Sequence, residues 1–102
     1  GLESHPGHAI FKRDFSGSSG TFSFVLDGGE AQADAFLDAL RIFGLGYSWG
    51  GYDSLAVNAS LADRTVASRD YGGAIMRLHI GVEDVADLMS DIEGALAAAL
   101  AA

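Results

Sequence analysis

Between residues 21 and 43 the spacing of apolar side chains switches from two residues to nearly four, and no other feature restricts the fold of this chain as much. "TFSFVLD" alternates, setting Phe22, Phe24 and Leu26 on one face and Ser23 and Val25 on the other, the pattern of a half-buried strand closed by Gly28-Gly29. After the glycines, Ala33, Phe36, Leu37, Leu40 and Phe43 recur at helical spacing. Glu30 and Asp34 stand in the first turns, where the helix dipole favours carboxylates, and Gly44 follows as a cap. The spacing predicts a helix over 30–43, about four turns long.

A strand followed by a helix returns near the end of the chain. "SLAVNA" reads as a short strand after a glycine loop, and "AIMRLHIG" as a longer one with Ile75, Arg77 and His79 on one face and Met76, Leu78 and Ile80 on the other. From Glu83 a second amphipathic helix is expected, with Val85, Leu88, Met89, Ile92 and Leu96 as its apolar stripe and Asp84 and Asp87 in its first turn. Residues 59–73 read as an irregular polar excursion. The order strand, helix, strand, strand, helix points to an α+β fold, a small and mostly antiparallel sheet with helices packed on one face. Ahead of it, residues 1–20 carry a turn or two of helix around 8–15 and a glycine-serine loop at 16–20, the look of the end of something longer.

A chain of 102 residues supports one core. It has no cysteine, so disulfides, thiolate nucleophiles and zinc-thiolate sites are excluded together. Its net charge of -8 repels a phosphate backbone over most of the surface, so nucleic acid is not an expected partner. The longest apolar run, "ALAAALAA", is too short to span a bilayer, and no basic-then-apolar leader opens the chain, so the expected setting is cytoplasmic with no membrane partner.

Four motifs carry possible chemistry. Gly46, Ser48 and Gly50 satisfy G-x-S-x-G, and Asp70 and His79 follow, but a nucleophile elbow needs a strand before the serine and a helix after it, and this stretch offers neither. His5 and His8 flank a Pro-Gly turn without a third ligand, which favours a surface loop over a metal clip. Lys12, Arg13 and Asp14 offer a local ion pair. Arg77 says more: a guanidinium cannot be deprotonated and its fork fits a carboxylate, so mid-strand it faces solvent, a partner or an anion. With the aromatic glycine loop "GYSWGG" it would make a receptor for a small carboxylate, the rings supplying an apolar wall.

"HPGHAIFKRDFSGSSGTFSFVL", "FGLGYSWGGYDSLA" and "MRLHIGVEDVADLMSDIEGAL", taken in order, resemble the C-terminal domain of the bacterial cystathionine beta-lyases, within the Cys/Met-metabolism family of pyridoxal-phosphate enzymes. The resemblance spans nearly the whole chain and is weakest over 58–73; the Trp of Ser48-Trp49-Gly50-Gly51 favours the beta-lyases over the gamma-synthases and gamma-lyases, whose loop is closer to Ser-Leu-Gly-Gly. It implies the small domain of an aspartate-aminotransferase-like enzyme over 21–102, with 1–20 joining it to a large cofactor-binding domain. Arg77 would clamp the α-carboxylate of an amino-acid thioether, Ser48 would make a polar contact there, and Tyr47 and Trp49 would line the pocket. Lys12, the one lysine, does not match the family's cofactor lysine, so the resemblance implies that the large domain holds pyridoxal phosphate, with no catalytic, cofactor or metal residue here and no activity for this chain alone.

The large domain and further copies in a homo-oligomer, a tetramer in the family, would be its partners. Ile10, Phe11 and Phe15 would then lie uncovered and pack on a neighbouring copy or fold back. Two other readings stand beside this one: another carbon-sulfur lyase or a gamma-elimination of the same family, and a free-standing regulatory domain that binds a small amino acid.

Overall fold

The computed structural model describes residues 2–59 and 72–102. Along the chain come α1 (His8–Asp14), β1 (Thr21–Asp27), α2 (Glu30–Ala39), β2 (Gly44–Leu45), β3 (Leu55–Ala59), β4 (Gly73–His79) and α3 (Val85–Ala101). Most of the polar excursion over 59–73, with Asp70, lies outside the described residues. Its two ends, Ala59 and Gly73, belong to strands.

The two alternating stretches pair with each other. β1 and β4 run antiparallel with Phe24 opposite Met76 and Ser23 opposite Arg77, and β4 pairs antiparallel with β3, setting Val57 beside Arg77. β2, which periodicity does not reveal because it is two residues long, adds to β3 in parallel, and the sheet order is β1-β4-β3-β2. Among the described residues the sheet has four strands and keeps the expected antiparallel majority.

One face of the sheet meets the helices. Phe24, Leu26 and Met76 pack with Ala33 and Phe36 of α2 and Ala95 and Ala99 of α3, and a second cluster gathers Phe43, Ala56, Leu78 and Leu88. Phe36 is fully buried, a contribution of about 1.5–3 kcal/mol, and meets Phe24 edge-on at 5.8 Å. Phe22 lies on the expected inner face but is 45% exposed, because the helices cover only the Phe24 and Leu26 end of β1. Among the described residues, no helix packs on the other face, which carries Ser23, Val25, Ile75 and Arg77.

Both principal helices depart from the spacing. α2 starts where Gly28 turns the chain at φ +111° and the Gln32 side chain accepts the Gly29 N–H at 2.8 Å. It stops at Ala39 rather than at residue 43, with Leu40 extended. The reason is Asp91 of α3, whose carboxylate accepts the N–H groups of Arg41 at 2.7 Å, Ile42 at 2.8 Å and Phe43 at 3.1 Å. Those donors are lost to a continuing helix, Phe43 swings into the second cluster, and Gly44 opens β2 instead of capping α2.

α3 buries Leu88, Asp91, Ala95 and Ala99, with Ile92 half-buried. Val85 and Met89 of the expected stripe are 67% and 57% exposed. The helix is turned so that small alanines let it approach α2 and so that Asp91 reaches its three amides. Its N-cap is Asp84, whose side chain accepts the Asp87 N–H at 3.1 Å.

α1 fits the short helix expected near 8–15 and makes no substantial contact with the sheet or the other helices. Ile10 and Phe15 are exposed, while Phe11 is half-buried and stacks on Phe15 at 5.9 Å. Arg13 and Asp14 form the local ion pair at 2.7 Å. No helix among the described residues is long and apolar enough to cross a membrane.

Candidate functional site

Parallel neighbours cannot be joined by a tight turn, so the chain between β2 and β3 must travel back before it can pair. Residues 46–54 make that return, and they do so against the open face of the sheet at the far end of β4. The aromatic glycine loop and the strand arginine, far apart in sequence, are thereby brought together.

Arg77 Nη2 donates to the main-chain carbonyl of Tyr47. Two residues on and on the same face, the His79 ring takes the next part of the loop: Nε2 lies 2.8 Å from the Gly51 carbonyl oxygen and Nδ1 lies 3.3 Å from the Gly50 nitrogen. Thr21 Oγ1 on the neighbouring strand is 3.2 Å from the same Nδ1. Both ring nitrogens thus engage the loop and β1 and neither reaches Ser48, and loop and then β3 rather than a helix come directly after Ser48, which is not the setting of a nucleophile elbow.

The far end of the loop is tied to the segment after β4. Ser54, 1% exposed, donates its N–H to Glu83 at 3.0 Å and its hydroxyl to the same carboxylate at 2.7 Å, while accepting the Gly81 N–H at 2.8 Å. Val82 N–H donates to the Tyr52 carbonyl at 3.0 Å, and a Cβ on Gly81 would overlap that carbonyl, so the close approach requires glycine. The Ser54 hydroxyl first, then the Ser54 amide, hold the Glu83 carboxyl below its ordinary value. A depressed carboxyl contributes stability above its unfolded value and loses it as pH falls through the folded one. Ser54→Ala is accordingly expected to lower Tm by several degrees at neutral pH, with the gap to the unaltered protein narrowing in acid, as thermal melts at stepped pH will show.

Tyr47, Ser48 and Trp49 are exposed, and among the described residues their tie to Arg77 runs through the Tyr47 main chain rather than through any of the three side chains. The loop backbone thus meets the Arg77 guanidinium on this face of the sheet, and Tyr47, Ser48 and Trp49 are exposed residues of the same loop. A guanidinium is the side chain whose fork suits a carboxylate. A cleft of about 610 Å³ between the end of α2 and α3 is lined by Asp38, Asp87 and Asp91 with Arg41, an acidic wall that suits no such anion. At the other end of the chain, His5 Nδ1 accepts the Gly7 N–H at 2.9 Å within its own turn.

Periodicity did not mark Asp91, Glu83 or Ser54. Asp91 did leave a signal, an acid flanked by Leu88, Ile92 and Ala95 on the buried stripe of α3. Ser54 and Glu83 are twenty-nine residues apart and left none.

The family profile described as Cys/Met metabolism PLP-dependent enzyme matches residues 1–97. A Rhizobium johnstonii protein provisionally named a cystathionine beta-lyase is 63% identical over 98% of this chain and 26% of its own length. An L-alanine/L-glutamate racemase of Wolbachia pipientis is 43% identical over 94% of the chain and 26% of its own length. Among solved structures, cystathionine gamma synthase from Xanthomonas oryzae pv. oryzae in complex with cystathionine superposes with a TM-score of 0.79 at 39% identity, covering 99% of this chain and 28% of that one. The chain spans about a quarter of the length of the relatives it matches. From the match over residues 1–97 and these shared sequences and folds, it follows that the chain belongs to the Cys/Met metabolism family of PLP-dependent enzymes.

Proposed function

We propose that residues 21–102 are the C-terminal small domain of a pyridoxal-phosphate-dependent cystathionine beta-lyase, joined through 1–20 to a cofactor-binding domain and working as a cytoplasmic homo-oligomer. In it Arg77 clamps the α-carboxylate of the thioether substrate, Ser48 makes a polar contact to the same group, and Tyr47 and Trp49 wall the pocket. The observation that carries this reading is the apposition of the Arg77 guanidinium and the Tyr47 carbonyl on the open sheet face, which places charge and loop at one point. A carboxylate held there would fix the Cα–H bond for proton removal. The 63% identity to the Rhizobium protein supports the beta-lyase reading.

The cofactor's part is to take up the charge left on Cα. The described residues do not fit it. Lys12, the one lysine, is exposed on α1, which makes no substantial contact with the sheet or the other helices. The cofactor's residues belong, on this proposal, to parts of the enzyme outside this chain.

The test is an assay of the complete enzyme on cystathionine. Pyruvate, ammonia and homocysteine are expected, homoserine-derived substrates should be spared, and this chain alone should release no pyruvate. The superposition on a gamma synthase favours a second reading, a reaction at the γ-carbon. 2-Oxobutyrate and cysteine in place of pyruvate and homocysteine would establish it and end the first.

A further inference from the structure

We propose that His79 is a positioning residue for the recognition loop: as the Nε2–H tautomer it holds Gly50 and Gly51 and thereby sets Ser48 and Trp49 against the Arg77 site. The inference rests on the reading of Arg77 and that loop as the substrate's carboxylate site.

The partners assign the tautomer. A carbonyl oxygen can only accept, so Nε2, 2.8 Å from the Gly51 oxygen, carries the proton. An amide N–H can only donate, so Nδ1, 3.3 Å from the Gly50 nitrogen, is the bare acceptor. The Thr21 hydroxyl at 3.2 Å then donates to Nδ1 as well, and β1 supports the ring from behind. His79 is 7% exposed and stands on β4 between Thr21 of β1 and Leu55 of β3, so the sheet leaves the ring little freedom.

The loop is shaped to meet that ring. Gly50 has φ +83°, a conformation that favours glycine, yet a Cβ there would touch nothing within 4 Å. Glycine is needed at this position for backbone direction rather than for space. That direction turns the Gly50 N–H and the Gly51 carbonyl toward one imidazole.

Arg77 and His79 thus act as two posts on one strand, one under Tyr47 and the other under Gly50 and Gly51, with Ser48 and Trp49 as the arch between them. When a substrate carboxylate competes for Arg77, His79 is the post that stays. It has no contact with substrate to make. Its effect is on where Ser48 and Trp49 stand when the carboxylate arrives.

The ring ¹⁵N shifts of this chain, which has three histidines, read the tautomer without any substitution. A protonated Nε2 and a bare Nδ1 are expected for His79, and the reverse assignment overturns the proposal. In His79→Leu, amide exchange at Gly50 should quicken about tenfold or more. In the complete enzyme the same change should raise KM for the thioether about tenfold while kcat stays within about threefold. His79→Gln, which keeps a donor for Gly51, should recover part of the loss in KM. Unchanged exchange at Gly50 overturns the anchoring whatever the kinetics. Faster exchange with an unchanged KM leaves the anchoring standing and overturns instead the assignment of this loop to the substrate.

Discussion

Arg77→Ala in the complete enzyme is expected to lower kcat/KM for cystathionine about 10²- to 10³-fold, with the cofactor still bound by its absorbance. A carboxylate bound to a guanidinium through two parallel N–H bonds loses charge and direction together when the side chain is cut back. Arg77→Lys should recover only part of the loss, because an ammonium keeps the charge but not the fork. The Tyr47 carbonyl loses its donor in the same variant, so loop disorder could imitate the loss of a clamp. Amide exchange at Gly50 separates the two: His79, itself held by Thr21, still holds that end, and exchange there should change little. Activity at the level of the unaltered enzyme would reduce Arg77 to a loop tie and end the site assignment.

The second large effect is on folding. Asp91→Ala should cost about 3 kcal/mol, on the order of 15 °C in Tm, since a charge-assisted acceptor is taken from three amides at once. Burial pushes the Asp91 carboxyl up, but the bonds from the Arg41, Ile42 and Phe43 amides, with the Arg41 charge, outweigh it and hold the group below its ordinary value. Its contribution is therefore complete above an unfolded value of about 3.9 and fades as pH falls through the lower folded one. The stability gap to Asp91→Asn, which keeps one acceptor but no charge, should be flat above about pH 5 and close in stronger acid. Urea unfolding across that range measures it. A gap that stays constant into acid would mean that the carboxylate's charge contributes nothing to the turn.

These two residues differ in how far the sequence revealed them. Arg77 was visible because it interrupts a strand that otherwise alternates, and alternation is a local property that survives without tertiary context. The strands β1 and β4 and the start of α2 were legible for the same reason. The end of α2 was not. Leu40 and Phe43 keep helical spacing, and only the arrival of Asp91 from the other side of the domain turns that spacing into an extended exit and a two-residue strand. Of the stripe expected on α3, Leu88 and Ile92 do face the core, whereas Val85 and Met89 do not, because close approach to α2 favours Ala95 and Ala99 over larger side chains.

Periodicity alone determined that this chain is a mixed fold with one helix-covered sheet face and an arginine and a histidine on the other. The quoted motifs determined the family. Tertiary structure decided what those two side chains meet. β2 and β3 pair in parallel, a tight turn cannot join parallel neighbours, and the return over 46–54 is laid across Arg77 and His79. Hydrogen bonds between residues some thirty apart have no trace in local spacing, because their partners become neighbours only when the sheet assembles.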